Sequence, residues 1–172
     1  MIRYISLLLL LVVTVAVYGN SSTNLIKNPN VIAREPGRYA HWYKSDCSIK
    51  NIPNGIEVIP LAKDKRAVMF QKMLPAPEKD YIFTCEFFVP DSPIRARVYA
   101  EEQRYDNNKK ILYKGFRPKG KIIPGQWNKV EINVKLEPGW KDFYVAITAI
   151  GGSCKVRNMV FTRVVKGKSN DL

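Results

Sequence analysis

The chain contains one histidine, three cysteines and only 15 acidic residues against 28 Lys and Arg. Each scarcity closes off some chemistry. A Ser-His-Asp or Cys-His device would have to use His41, and a lone histidine at a strand edge is ordinarily a surface or packing residue. His and Cys do not cluster at zinc spacing, and neither a Gly-x-x-x-x-Gly-Lys loop nor a Gly-x-Gly-x-x-Gly fingerprint is present. Glycoside hydrolysis needs two carboxylates about 5–10 Å apart. Glu86, Glu101 and Glu131 are the strand carboxylates available for it, and an exposed strand Glu ordinarily serves solvation. Helical patterning is nearly absent as well. Beyond residue 19 no three-turn stretch carries apolar residues at i, i+3, i+4 and i+7.

Long apolar runs are missing except at the start. Ile5 to Val17 is apolar apart from Ser6 and Thr14, and it follows the cation Arg3. The run is shorter than the roughly 18 residues expected of a spanning helix. Val17 and Gly19 suit the −3 and −1 positions of a signal peptidase site. Residues 1–19 are therefore expected to be a cleaved export signal, with no transmembrane segment left afterwards and the protein secreted, periplasmic or held at the cell surface. The formal charge is +13, and removing that signal takes away only Arg3.

What the chain does have is short alternation between turn signals. Asn54-Gly55 reads as a hairpin turn. Ala67–Met73, Asp80–Val89, Ile94–Tyr105, Lys110–Phe116, Val130–Leu136, Phe143–Ile150 and Cys154–Val164 read as strands separated by Pro, Gly, Asn and Asp. The pattern predicts one all-β domain over residues 20–165, an antiparallel β-sandwich, followed by a polar tail at 166–172. Export permits disulfides, but three cysteines cannot all pair. Cys85 alternates with Tyr81, Phe83 and Phe87 and reads as a buried thiol. Cys47 and Cys154 form the pair if one exists, and three free thiols is the alternative.

Several local patterns, taken in order, carry a likeness. Asn24-Leu25-Ile26-Lys27-Asn28 is followed by Trp42, then by Met69-Phe70-Gln71-Lys72-Met73, Pro77 and Tyr81-Ile82-Phe83-Thr84-Cys85. Tyr105-Asp106-Asn107-Asn108-Lys109, Trp127 before Val130-Glu131-Ile132, and Arg157-Asn158-Met159 complete the series. Together they resemble the jelly-roll carbohydrate-binding modules appended to bacterial xylanases and glucanases, within the galactose-binding-like sandwiches. The resemblance implies a non-catalytic domain that binds polysaccharide. It also implies a structural calcium held partly by acidic residues at positions that here read Ile32 and Arg157. Calcium takes several hard oxygen ligands, so neither a metal nor a cofactor is expected.

Two surfaces are candidates for binding. If Ile94, Ala96, Val98 and Ala100 face the core, then Arg95, Arg97, Tyr99 and Glu101 face outward together, with Tyr105 beyond them. Rings pack on the C–H faces of sugars, while Arg and Glu hydrogen-bond their hydroxyls. Trp42, Tyr43, Arg95, Arg97, Tyr99, Glu101 and Tyr105 are the expected groove residues. The second surface is a basic stretch, Arg104, Lys109, Lys110, Lys114, Arg117, Lys119 and Lys121, interleaved with Tyr105, Tyr113 and Phe116. It suits an acidic polysaccharide, and export argues against nucleic acid. The expected state is a monomer. The alternatives are a structural or adhesive surface protein that binds a protein partner, and a small glycan-active hydrolase or lyase.

Overall fold

The computed structural model describes residues 23–31, 33–35, 38–73, 75, 79–91, 94–107, 109–139 and 142–164. The export signal expected at 1–19, the tail expected at 166–172, and Ile32 lie outside them. The described residues contain no helix and twelve strands: β1 Ala33–Glu35, β2 Arg38–Tyr39, β3 Tyr43–Ser45, β4 Cys47–Ile52, β5 Gly55–Pro60, β6 Ala67–Met73, β7 Asp80–Phe88, β8 Arg95–Tyr105, β9 Ile111–Phe116, β10 Trp127–Lys135, β11 Asp142–Ile150 and β12 Cys154–Arg163. β1 and β2 form a small ribbon. The other ten make two five-stranded sheets, a first in the order β10-β7-β12-β5-β4 and a second in the order β3-β6-β11-β8-β9. Every pairing is antiparallel. The protein is an all-β sandwich, as the alternation predicts.

Period-two side chains build the core. On β7, Tyr81, Phe83, Cys85 and Phe87 point inward, and on β10 Val130, Ile132 and Val134 do so. Facing them are Met69 and Met73 of β6, Val98 and Ala100 of β8, and Phe143, Val145, Ile147 and Ala149 of β11. A run of rings crosses from one sheet to the other. Tyr81 stacks on Phe161 at 5.0 Å, Phe161 on Phe143 at 5.1 Å, and Phe143 meets Phe116 at 6.4 Å. Each such pair adds about 0.5–1.5 kcal/mol beyond its buried area. The N-terminal segment is tied on by the buried Gln71, whose Oε1 accepts from Lys27 N at 2.8 Å and whose Nε2 donates to Lys27 O at 2.7 Å.

Two local expectations change. The β4–β5 loop is Pro53-Asn54, one residue earlier than the Asn-Gly signal suggests, because Ile52 pairs with Gly55. Asn54 takes the left-handed φ of 57°. Gly55 sits in the strand because a Cβ there would lie 2.1 Å from the Val156 carbonyl oxygen. The three cysteines are free and buried, so no Cys47–Cys154 bridge is formed. Burial raises the Cys47 and Cys85 thiols above their ordinary value and pushes Cys154 up to about 12.

Among the described residues, one acid lies inside. Glu102 is fully buried on the inner side of β8, paired in register with Phe143 on one side and Lys114 on the other. No side chain hydrogen-bonds its two carboxyl oxygens; the Glu137 backbone lies beside them, and Lys114 Nζ stands 4.0 Å away while bonding the Glu137 side chain at 2.5 Å. Burial pushes its pKa from 4.5 up to about 7, against the opposing pull of Lys114. A carboxyl whose folded pKa is raised holds its proton more tightly when folded, so stability falls as pH rises from the ordinary carboxyl range toward 7. Glu102→Gln is therefore expected to raise the melting temperature above about pH 7 and to leave it nearly unchanged near pH 4. Melting curves across that range check it, and a pH-independent difference would refute it.

Candidate functional site

The outward side of the second sheet gathers residues from all five of its strands. β8 supplies Arg95, Arg97, Tyr99, Glu101, Gln103 and Tyr105, on the opposite side from buried Val98 and Ala100. The register carries the pattern across the sheet. Tyr43 of β3 pairs with Phe70 of β6, Phe70 with Ala146 of β11, and Ala146 with Tyr99 of β8. The next outward row runs Lys72, Tyr144, Glu101 and Gly115. Tyr43 stacks on Phe70 with centroids 5.3 Å apart and planes 18° apart, and Phe70 meets Tyr144 edge-on at 5.6 Å. Tyr43 remains 61% exposed, so this aromatic band is open to solvent at its β3 end.

The floor of the band is small. Ala146 and Thr148 point outward from β11, yet they are buried beneath their larger neighbours. Beside them is a depression of about 120 Å³ lined by Arg66, Arg97, Tyr99, Glu101, Gly115 and Arg117. Arg66 Nη2 donates to Tyr99 Oη at 3.3 Å, and Gln103 Nε2 donates to Glu101 Oε1 at 3.0 Å. Burial raises the Tyr99 phenol above its ordinary value, with Arg66 pulling the other way. A larger cavity of about 510 Å³ opens elsewhere, among Leu25, Lys27, Gln71, Met73 and Tyr81. It contains the exposed His41 and none of the expected groove residues.

Arg97, Tyr99 and Glu101 thus meet in one depression, with Tyr43 on the same face. Arg95 is exposed at one end of β8 and Tyr105 at the other. Trp42, expected in the groove, does not belong to it. It is 6% exposed within the core, and its Nε1 donates to Asn28 O at 3.0 Å, so it offers no ring to a ligand. The basic stretch does not form one patch. Lys109 and Lys110 sit at the β8–β9 turn, and Lys119 and Lys121 in the loop after β9. Lys114 lies on the inner side with Glu102 and is engaged by Glu137, while Arg117 joins the depression. Sequence reasoning missed Phe70, Tyr144, Arg66 and Gly115. The alternation of Phe70 with buried Met69 and Gln71, and of Tyr144 with Phe143 and Val145, was the available signal.

The outward side of the first sheet also has rings, but cations cover them. Lys155 Nζ lies 5.3 Å from the Phe88 centroid, and the Arg157 guanidinium lies 4.1 Å from that of Trp127. Arg157 Nε also bonds Glu86 Oε2 at 2.6 Å, and this hydrogen bond lowers the Glu86 pKa below the usual range. Glu86 and Glu131 belong to this sheet and Glu101 to the other, so the three carboxylates do not share a face.

No protein-family model matches the chain, and no curated protein matches it. Solved structures do. The chain is similar to the N-terminal part of Clostridium thermocellum xylanase 10B, comprising a family 22 carbohydrate-binding module and a catalytic module in complex with xylohexaose (TM-score 0.58, 10% identity, 73% of this chain and 26% of that one). It is similar to the first family 22 xylan-binding domain of Paenibacillus barcinonensis Xyn10C (TM-score 0.58, 9% identity, 84% and 97%). The chain has the fold of the family 22 carbohydrate-binding modules. It is also similar to the enzymatically active domain of tailspike protein 4 from bacteriophage CBA120 (TM-score 0.57, 11% identity, 82% and 21%). The chain spans about a quarter of the xylanase structure and a fifth of the tailspike.

At Arg157 the side chain is a guanidinium, paired to Glu86 and laid over Trp127, and it offers no oxygen to a cation. Among the described residues no group of three or more His, Cys, Asp or Glu could hold a metal ion. Chelator is expected to leave the melting temperature unchanged, since a ligand bound only by the folded state would raise it. A clear drop in EDTA would reveal other oxygen ligands.

Proposed function

We propose that this protein is an exported, non-catalytic polysaccharide-binding domain that takes a xylan-like chain on the outward side of its second sheet and prefers acidic polymers. The observation that carries the reading is the exposed band Tyr43–Phe70–Tyr144 beside Tyr99, over which no cation lies among the described residues, unlike the rings of the opposite sheet. Flat rings take up the apolar faces of successive sugars, and Glu101, Arg97 and Arg66 supply hydrogen bonds to hydroxyls. The similarity to xylan-binding modules supports the backbone assigned, and the arginines support the acidic preference. The export signal expected at residues 1–19 supports action outside the cytoplasm.

The tailspike similarity motivates a catalytic alternative, which the carboxylates of this face do not favour. Asp142 is the carboxylate nearest to Glu101 in register, since Asp142 pairs with Gln103 and Tyr144 with Glu101. It is held by Lys72 Nζ at 2.6 Å and accepts from Tyr144 Oη at 3.3 Å. A carboxylate so engaged is a poor proton donor to a glycosidic oxygen.

A buried ring-to-sugar contact is worth about 1–3 kcal/mol, and about 1.4 kcal/mol is a factor of ten in affinity. Tyr43→Ala and Tyr99→Ala are each expected to weaken polysaccharide binding roughly tenfold or more at any ionic strength. Lys109→Gln with Lys110→Gln should act only at low salt, because exposed charges are screened beyond about 8 Å at physiological ionic strength. Affinity electrophoresis and calorimetry against neutral and acidic polysaccharides check this. Failure to bind any of them would end the reading, and release of reducing sugar would favour the enzyme.

A further inference from the structure

We propose that the depression at Gly115 receives the carboxylate of an isolated acidic branch on an otherwise neutral polysaccharide. The inference rests on the reading that this face binds such a polymer, and it assigns the acidic preference to one place. The depression is built from a missing side chain. Gly115 lies opposite Glu101, its φ is not among the positive values, and a Cβ on it would meet no atom within 4 Å. The resulting space of about 120 Å³ compares with about 30 Å³ for one water in the liquid, which suits a carboxylate and the edge of its ring rather than a length of chain.

Three arginines border it from three separate segments: Arg66 before β6, Arg97 on β8 and Arg117 after β9. Among the described residues, no carboxylate forms an ion pair with any of them. A guanidinium offers a planar fork that matches a carboxylate in two-point contact. Arg66 is already oriented by its bond to Tyr99. The one acid in the lining, Glu101, is occupied on Oε1 by Gln103.

The rest of the face has a different character. The band of Tyr43, Phe70 and Tyr144 carries no charge, and beyond it Lys72 is neutralised by Asp142. A polymer with a carboxylate on every sugar would bring like charges against Asp142 and Glu101 while filling the arginine-lined space only once. A neutral backbone along the rings with an occasional acidic branch matches both parts.

The test compares glucuronoxylan with the same polymer after chemical reduction of its carboxylates to alcohols, and with polygalacturonate. Wild-type protein should bind native glucuronoxylan at least about tenfold more tightly than the reduced form, a difference of about 1.4 kcal/mol. Gly115→Phe fills the depression from a strand position that tolerates aromatics, and Arg97→Gln removes one fork. Each should erase the difference between the two polymers, with melting temperature confirming that the variant is folded. Tyr43→Ala should weaken both polymers and preserve their ratio. Equal binding of native and reduced glucuronoxylan, tighter binding of polygalacturonate, or a difference that survives both variants overturns this inference alone. Binding of none of the three polymers overturns the polysaccharide reading with it.

Discussion

Strands β8 and β11 pair over nine consecutive residues, from Gln103 opposite Asp142 to Arg95 opposite Ile150. Because side chains alternate with a period of two, a slip of one residue would exchange every inward and outward group on that strand. The hydrophobic cost enforces the register: Val98, Ala100, Phe143, Val145 and Ile147 all enter the core together. The same register places Arg97, Tyr99 and Glu101 beside Thr148, Ala146 and Tyr144 on the outside. The candidate site is therefore held by the core, although no residue of it supplies core packing.

The two outer faces show how similar residues acquire different availability. Both carry aromatic side chains. On the first sheet, Arg157 and Lys155 lie over Trp127 and Phe88, so a ligand would have to displace a cation from each ring. A cation–π contact at an exposed site is worth about 0.5–1 kcal/mol, and the Glu86 ion pair further anchors Arg157. On the second sheet the rings contact one another, edge-on or stacked, and Tyr43 keeps most of its surface in water. Small residues at Ala146, Thr148 and Gly115 make the relief on that face, because the larger groups on neighbouring strands stand above them.

Glu102 marks the limit of the alternation rule. It occupies an inward position at a point where β8 and β9 still pair, and no side-chain hydrogen bond compensates its burial. Lys114, read from sequence as part of a basic surface, instead lies next to Glu102 and bonds Glu137. The charge count of the hairpin therefore overstates what it presents to a ligand.

Local alternation determined most of the strands, the single all-β domain, and which side of β8 faces outward, because a buried and a solvated side of one strand demand opposite side chains at successive positions. It determined too that Arg95, Arg97, Tyr99 and Glu101 share a side. Tertiary structure alone decided what stands beside them. Phe70 comes to the face from β6, Tyr144 from β11 and Gly115 from β9, through pairings between segments far apart in the chain. It also decided that Trp42 is core and that Gly55 is required by a neighbouring carbonyl rather than by a turn. The physical reason is range. The period of a strand is set by its own residues and their contact with water, whereas the order of strands and the relief of the face they form are set by which distant segments bury one another.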